Sequence, residues 1–134
     1  MVILTKFTLP STKRDLFSEY PGDNTPFFLA FLASTDPATN KPWCPDVEAA
    51  LPRLNETFVD SGARSCGYVH VGQKEEWKDL SNVFRTKWGI KCVPTLVRYE
   101  VVEGEVREVG RLEEGEILNA EKLRGFVFGE PTTA

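Results

Sequence analysis

Phe27-Phe28-Leu29-Ala30-Phe31-Leu32-Ala33 leads into a polar loop, and the chain then reads Trp43-Cys44-Pro45-Asp46-Val47. Seven consecutive apolar residues suit a central strand covered on both faces. Residues 34–42 carry two prolines and read as a loop. Pro45 then opens a helix, where its missing N–H costs nothing because that group has no intrahelical partner. Val47, Leu51, Leu54 and Phe58 fall on one helical face, with Ala50 beside them. Pro52 sits inside this helix, removes the bond to the Glu48 carbonyl and is expected to kink it. Strand, loop and helix together place Cys44 at a helix N-terminus.

The same alternation extends outward. Residues 2–9 are β-rich, Pro10-Ser11-Thr12 breaks the pattern, and a short helix is expected over 13–20 before a turn at 21–24. Residues 68–71 form a second apolar strand. Residues 76–88 predict a helix with Trp77, Leu80, Phe84 and Trp88 on one face. Residues 95–102 and 105–112 read as a hairpin around Glu103-Gly104. A last helix over 119–128 buries Leu123, Phe126 and Val127. The order β-α-β-α-β-α-β-β-α predicts an α/β fold with one mixed sheet and helices on both faces.

The chain's 134 residues fit a single domain spanning 1–134. Hydrophobic residues are 41% of the chain, enough for a core without metal or disulfide staples. Sixteen basic against twenty acidic residues give a net charge of −4, which argues against a general nucleic-acid grip. The apolar run 27–33 is too short to cross a bilayer. Residues 2–4 are too short for a signal sequence and Lys6 interrupts them, so the cytoplasm is the expected location. Three cysteines, Cys44, Cys66 and Cys92, suit a reducing compartment better than a disulfide scaffold. Three scattered cysteines and one histidine, His70, show no metal-ligand spacing, and no phosphate-binding glycine loop is present. Cys66 and His70 read as structural and surface residues. The acids from Glu100 to Glu116 read as a solvated surface, and the Asn55-Glu56-Thr57 sequon as chance.

Cys44 carries the chemistry. Unpaired backbone N–H groups and the helix dipole converge at a helix N-terminus. A thiolate is stabilised there, and it is the nucleophile of disulfide exchange. Asp46 opposes it with a second negative charge, although an acid also suits the helix start.

Trp43-Cys44-Pro45-Asp46 resembles the active-site motif of the thioredoxin-related 14 kDa protein family (thioredoxin domain-containing protein 17), which reads Trp-Cys-Pro-Asp-Cys. Two further blocks are similar in order and spacing. One is Val71-Gly72-Gln73-Lys74, Trp77-Lys78-Asp79, Asn82 and Phe84-Arg85. The other is Val93-Pro94-Thr95-Leu96 followed by Tyr99. The resemblance implies a thioredoxin fold, a cytosolic setting and disulfide reductase activity on a restricted substrate set. It implies a cis Pro94 facing Cys44, substrate binding along Val93, Pro94 and Thr95, a rim at Trp43, and a loop at 34–42 that narrows substrate choice. For a one-cysteine enzyme the expectation is no bound cofactor, an external thiol reductant (glutathione or a thioredoxin system, with thioredoxin reductase as a candidate partner) and disulfide-containing peptides or small molecules as substrates.

The chain departs from that motif at Val47, which stands where the family has its second cysteine. Valine cannot resolve a mixed disulfide, so the dithiol cycle is not available within the motif. No acid interrupts residues 27–33, where ordinary thioredoxins carry one that handles the resolving thiol's proton. Cys92 lies two residues before Pro94 and is the auxiliary thiol to test: it could resolve a mixed disulfide, link two otherwise monomeric chains, or be inert. Three functions remain open: a thiol-disulfide oxidoreductase using Cys44 alone, a peptide-binding module that has lost catalysis, and a redox sensor using Cys44 and Cys92.

Overall fold

The computed structural model describes residues 2–4, 9–16, 26–59 and 65–129. In chain order its elements are β1 (Val2–Leu4), β2 (Phe27–Leu32), β3 (Thr35–Asp36), β4 (Lys41–Pro42), α1 (Pro45–Val59), β5 (Ser65–His70), α2 (Lys74–Lys78), α3 (Val83–Thr86), β6 (Thr95–Val102), β7 (Glu105–Glu113) and α4 (Ala120–Phe128). A 3-10 turn, Lys13–Asp15, begins where the first helix is expected. The remainder of that helix (17–20), the turn at 21–24, residues 5–8 of the first strand, and the chain ends (1 and 130–134) lie outside the described residues.

β2 organises the sheet because all six of its residues are buried and both its edges are paired. It runs parallel to β5 and antiparallel to β6, within the order β1-β5-β2-β6-β7. Alternation sends Phe28 and Phe31 to opposite faces. Phe28 meets Phe58 of α1 at 5.2 Å and Phe126 of α4 at 5.8 Å. Phe31 meets Phe84 of α3 at 6.2 Å and Trp88 at 6.3 Å. Helices therefore cover both faces of a mixed sheet. α1 runs unbroken across Pro52. Within it, the Asn55 side chain is engaged, accepting a 2.6 Å hydrogen bond from the Tyr68 hydroxyl. The β6–β7 hairpin turns on Glu103 (φ 52°) and Gly104 (φ 81°), two left-handed residues that match the twist of the strands.

Three sequence expectations are corrected. The helix over 76–88 is two short helices, α2 and α3, and Leu80 is 80% exposed. The Asp79 carboxylate accepts from the Ser81 N–H (2.9 Å) and hydroxyl (2.7 Å), a local turn that competes with the helix. The Asn82 side chain then caps α3 through the Phe84 N–H. The loop over 34–42 contains the β3–β4 ribbon, with Thr35 opposite Pro42 and Asp36 opposite Lys41. Glu100 is buried, not solvated, and pairs with buried Arg98 at 2.7 Å.

Candidate active site

Cys44 precedes the first turn of α1, and its carbonyl accepts from the N–H groups of Val47 (3.1 Å) and Glu48 (3.2 Å). Its half-buried thiol donates to the Val93 carbonyl at 3.8 Å. The Val93–Pro94 peptide bond is cis. The Pro94 carbonyl on its far side accepts from the Glu114 N–H at 3.0 Å, so the segment is tied down against both α1 and the end of β7. The fold thus brings together two stretches about fifty residues apart in sequence, residues 43–47 and 92–95.

The members of those stretches sit differently. Pro45 and Asp46 are exposed, while Val47 is fully buried in the core. Val93 and Pro94 are largely buried. Thr95 is fully buried between Phe31 of β2 and Glu113 of β7, and its hydroxyl donates to the Cys92 carbonyl at 2.7 Å. Cys92 is half-buried with its sulfur 3.6 Å from the Thr95 hydroxyl. All three cysteines are free thiols.

Both other thiols are shifted toward the protonated form. Complete burial pushes the Cys66 thiol well above its ordinary value. Burial also pushes Cys92 up; the Thr95 hydroxyl works against this, and the Glu113 and Glu114 carboxylates add to it. Removing one of those like charges lowers the Cys92 value, so more thiolate exists at a given pH. In a Cys44→Ser background, Glu114→Gln is therefore expected to speed alkylation of Cys92 at neutral pH and move its pH midpoint down. A slower or unchanged rate would remove Glu114 from the electrostatics of this thiol.

Sequence reasoning missed the group that holds Trp43. The Trp43 indole N–H donates to the Gly72 carbonyl at 2.8 Å, and the Gly72 N–H donates to the Ser34 hydroxyl at 3.0 Å. Gly72 stands in one of the blocks quoted above, but nothing in that block shows that it faces Trp43. Beside Trp43 a cleft of about 570 Å³ opens between the β3–β4 ribbon and the start of α2, walled by Asp36, Lys41, Gln73 and Lys74 among others. Among the described residues no group of His, Cys, Asp or Glu is disposed to hold a metal, and no helix is long and apolar enough to cross a membrane.

The thioredoxin domain of thioredoxin domain-containing protein 17-like proteins matches residues 11–128. A thioredoxin domain-containing protein of Schizosaccharomyces pombe is 38% identical over 128 residues, covering 95% of this chain and 98% of its own. Thioredoxin domain-containing protein 17 of Homo sapiens is 35% identical over 92 residues, covering 64% of this chain and 73% of its own. Among solved structures, thioredoxin O2 from Arabidopsis thaliana superposes with a TM-score of 0.58 at 12% identity, covering 94% of each chain. Trichomonas vaginalis thioredoxin gives 0.57 at 12% identity, over 92% of this chain and 96% of its own. These two likenesses show the thioredoxin fold.

Proposed function

The chain belongs to the thioredoxin domain-containing protein 17-like family, and from that premise we propose that it is a cytoplasmic, monomeric thiol-disulfide oxidoreductase that works through Cys44 alone. The observation that carries the reading is the half-buried Cys44 thiol at the start of α1, beside the cis Val93–Pro94 segment and above a buried Val47. A nucleophilic sulfur is presented at a helix N-terminus, and the position that would resolve its mixed disulfide holds packed hydrocarbon.

The cycle balances with an external thiol. The Cys44 thiolate attacks one sulfur of the substrate disulfide, the S–S bond breaks, and the leaving thiolate takes up a proton. Glutathione then attacks the mixed disulfide and releases the second substrate thiol, leaving Cys44 bonded to glutathione. A second glutathione restores the Cys44 thiolate as oxidised glutathione forms. Two electrons pass from two glutathione molecules to one substrate disulfide. A glutathione adduct on a peptide enters the same sequence at the first attack. Cys92 does not replace the external thiol in this scheme, because burial holds it toward the protonated form and it sits against the Thr95 hydroxyl, which leaves it a weak attacker. No bound cofactor takes part, and the substrates are disulfide-containing peptides or small molecules.

Disulfide-dependent NADPH oxidation, coupled through glutathione and glutathione reductase or through thioredoxin reductase, tests this. Wild type is expected to turn over with glutathione in proportion to its concentration, and Cys92→Ser to turn over at the same rate. Val47→Cys restores a thiol one helical turn from Cys44, and with thioredoxin reductase as the electron source its turnover is expected to proceed without glutathione. The smaller cysteine leaves a small void in the core, costing about 1 kcal/mol. No turnover in wild type but clear turnover in Val47→Cys would overturn the reading in favour of a peptide-binding module. A peroxide-dependent dimer abolished by Cys92→Ser, without disulfide turnover, would favour the redox sensor.

A further inference from the structure

The 34–43 excursion leaves the sheet at the end of β2 and closes at Trp43, just before α1, and both its ends converge on one residue. The Val71 N–H donates to the Leu32 carbonyl at 2.9 Å, continuing the β2–β5 pairing past the end of the strands. The next residue, Gly72, spends both backbone groups on the excursion. Its N–H donates to the Ser34 hydroxyl, and its carbonyl accepts from the Ser34 N–H (3.3 Å) and the Trp43 indole N–H (2.8 Å). The Trp43 N–H closes the ring by donating to the Ser34 carbonyl at 3.3 Å. Gln73 adds a clasp, its side-chain amide donating to the Thr35 carbonyl at 2.8 Å.

Gly72 is also a position that only glycine fits. Its φ is +103°, a region closed to residues with a Cβ, and an added Cβ would lie 3.0 Å from the Glu76 Cβ. Glu76 cannot easily retreat, because its carboxylate accepts from the Gln73 N–H at 2.9 Å in the capping box of α2. Moving Gly72 therefore means moving the start of α2, one wall of the cleft, together with Trp43, another.

We propose that Gly72 and Ser34 are positioning residues that fix the Trp43 indole beside Cys44, and that they set the rate at which Cys44 engages an extended disulfide peptide without altering the thiol itself. The indole has one donor and it is spent on Gly72, so the ring has a defined orientation. Trp43 is joined to Cys44 by a single peptide bond, so a ring that swings changes the surface an incoming peptide must pass. A reagent small enough to ignore the rim does not sense it. The inference rests on Cys44 being the exchanging thiol, as proposed above, but not on a complete catalytic cycle.

Three variants test it: Trp43→Phe, which keeps a ring and loses the donor; Ser34→Ala, which removes the acceptor for the Gly72 N–H; and Ser34→Thr, which keeps it. Single-turnover formation of a mixed disulfide between Cys44 and a cystine-containing peptide is compared with alkylation of Cys44 by iodoacetamide, and the Trp43 indole N–H is followed by NMR. Trp43→Phe and Ser34→Ala are expected to slow the peptide reaction about tenfold, the size of one lost hydrogen bond's worth of positioning. Alkylation is expected to stay unchanged, with Ser34→Thr restoring the peptide rate. In Ser34→Ala the indole N–H is expected to shift and exchange faster. Equal slowing of both reactions, or no slowing of either, would overturn the inference. A wild-type Cys44 that alkylates normally but forms no mixed disulfide would instead overturn the oxidoreductase reading.

Discussion

Cys44→Ser is expected to drop disulfide turnover to the uncatalysed background while leaving the fold intact. Serine keeps the shape of the side chain and a donor for the Val93 carbonyl, so the contacts between the start of α1 and the 92–95 segment survive. What it loses is the sulfur: a hydroxyl is not ionised at neutral pH and does not exchange with disulfides. The remaining thiols cannot take over. Cys66 has no exposed surface and a thiol pushed far up by burial. Cys92 is half-buried, pushed up in turn, and aimed at the Thr95 hydroxyl. The coupled NADPH assay, run beside a thermal melt, separates loss of chemistry from loss of structure. Turnover surviving in the serine variant would place the nucleophile elsewhere and remove the basis of the proposed cycle.

The parts of the fold legible in the sequence are those where one local signal governs one element. The unbroken run at 27–33 suited a covered strand, and β2 is buried along its whole length. Glu103-Gly104 needed two positive φ angles and has them. Cys44 before Pro45 was legible because a loop, a cysteine and a helix-starting proline fall in order. What failed were the places where side chains and backbone compete. Trp77, Leu80, Phe84 and Trp88 have helical spacing, yet Asp79 and Asn82 take the backbone hydrogen bonds that a continuous helix would need. Glu100 looked like a surface acid because its partner is Arg98, two residues away on the same strand, and sequence does not show which face α4 covers. The hold on Trp43 was invisible for a similar reason: the Trp43 indole and the Ser34 hydroxyl both meet the backbone of Gly72, and residue type does not show that these three positions converge.

Arg98→Ala is the stability counterpart of the cysteine variant, and it is expected to cost about 3–5 kcal/mol. The Arg98 and Glu100 side chains are 6% and 4% exposed, with Nε to Oε2 at 2.7 Å. In such a setting the attraction roughly offsets desolvation, but removing one partner leaves the other charge buried without it. Arg98 does a second job. Its Nη1 donates to the Phe126 carbonyl in the last turn of α4 at 2.9 Å, satisfying one of the carbonyls that a helix end leaves open. The docking there is close. Gly110 lies opposite Arg98 on β7, and a Cβ at that position would come within 3.0 Å of the Phe126 ring. Loss of the guanidinium should therefore loosen α4 first, seen as faster amide exchange over Ala120–Phe128, and lower the melting temperature by on the order of 10 °C. The pair is coupled, so Arg98→Met combined with Glu100→Met is expected to cost clearly less than the sum of the two single changes. A loss below about 1 kcal/mol in Arg98→Ala would mean that water or a rearranged Glu100 replaces the guanidinium at no cost, and that α4 is held by Phe126, Leu123 and Val127 alone. Arg98 lies farther along β6 than Thr95, away from the Val93–Pro94 segment, and makes no hydrogen bond to residues 43–47 or 92–95. Turnover per folded molecule should accordingly stay at the wild-type rate, so that activity falls only as the folded fraction falls.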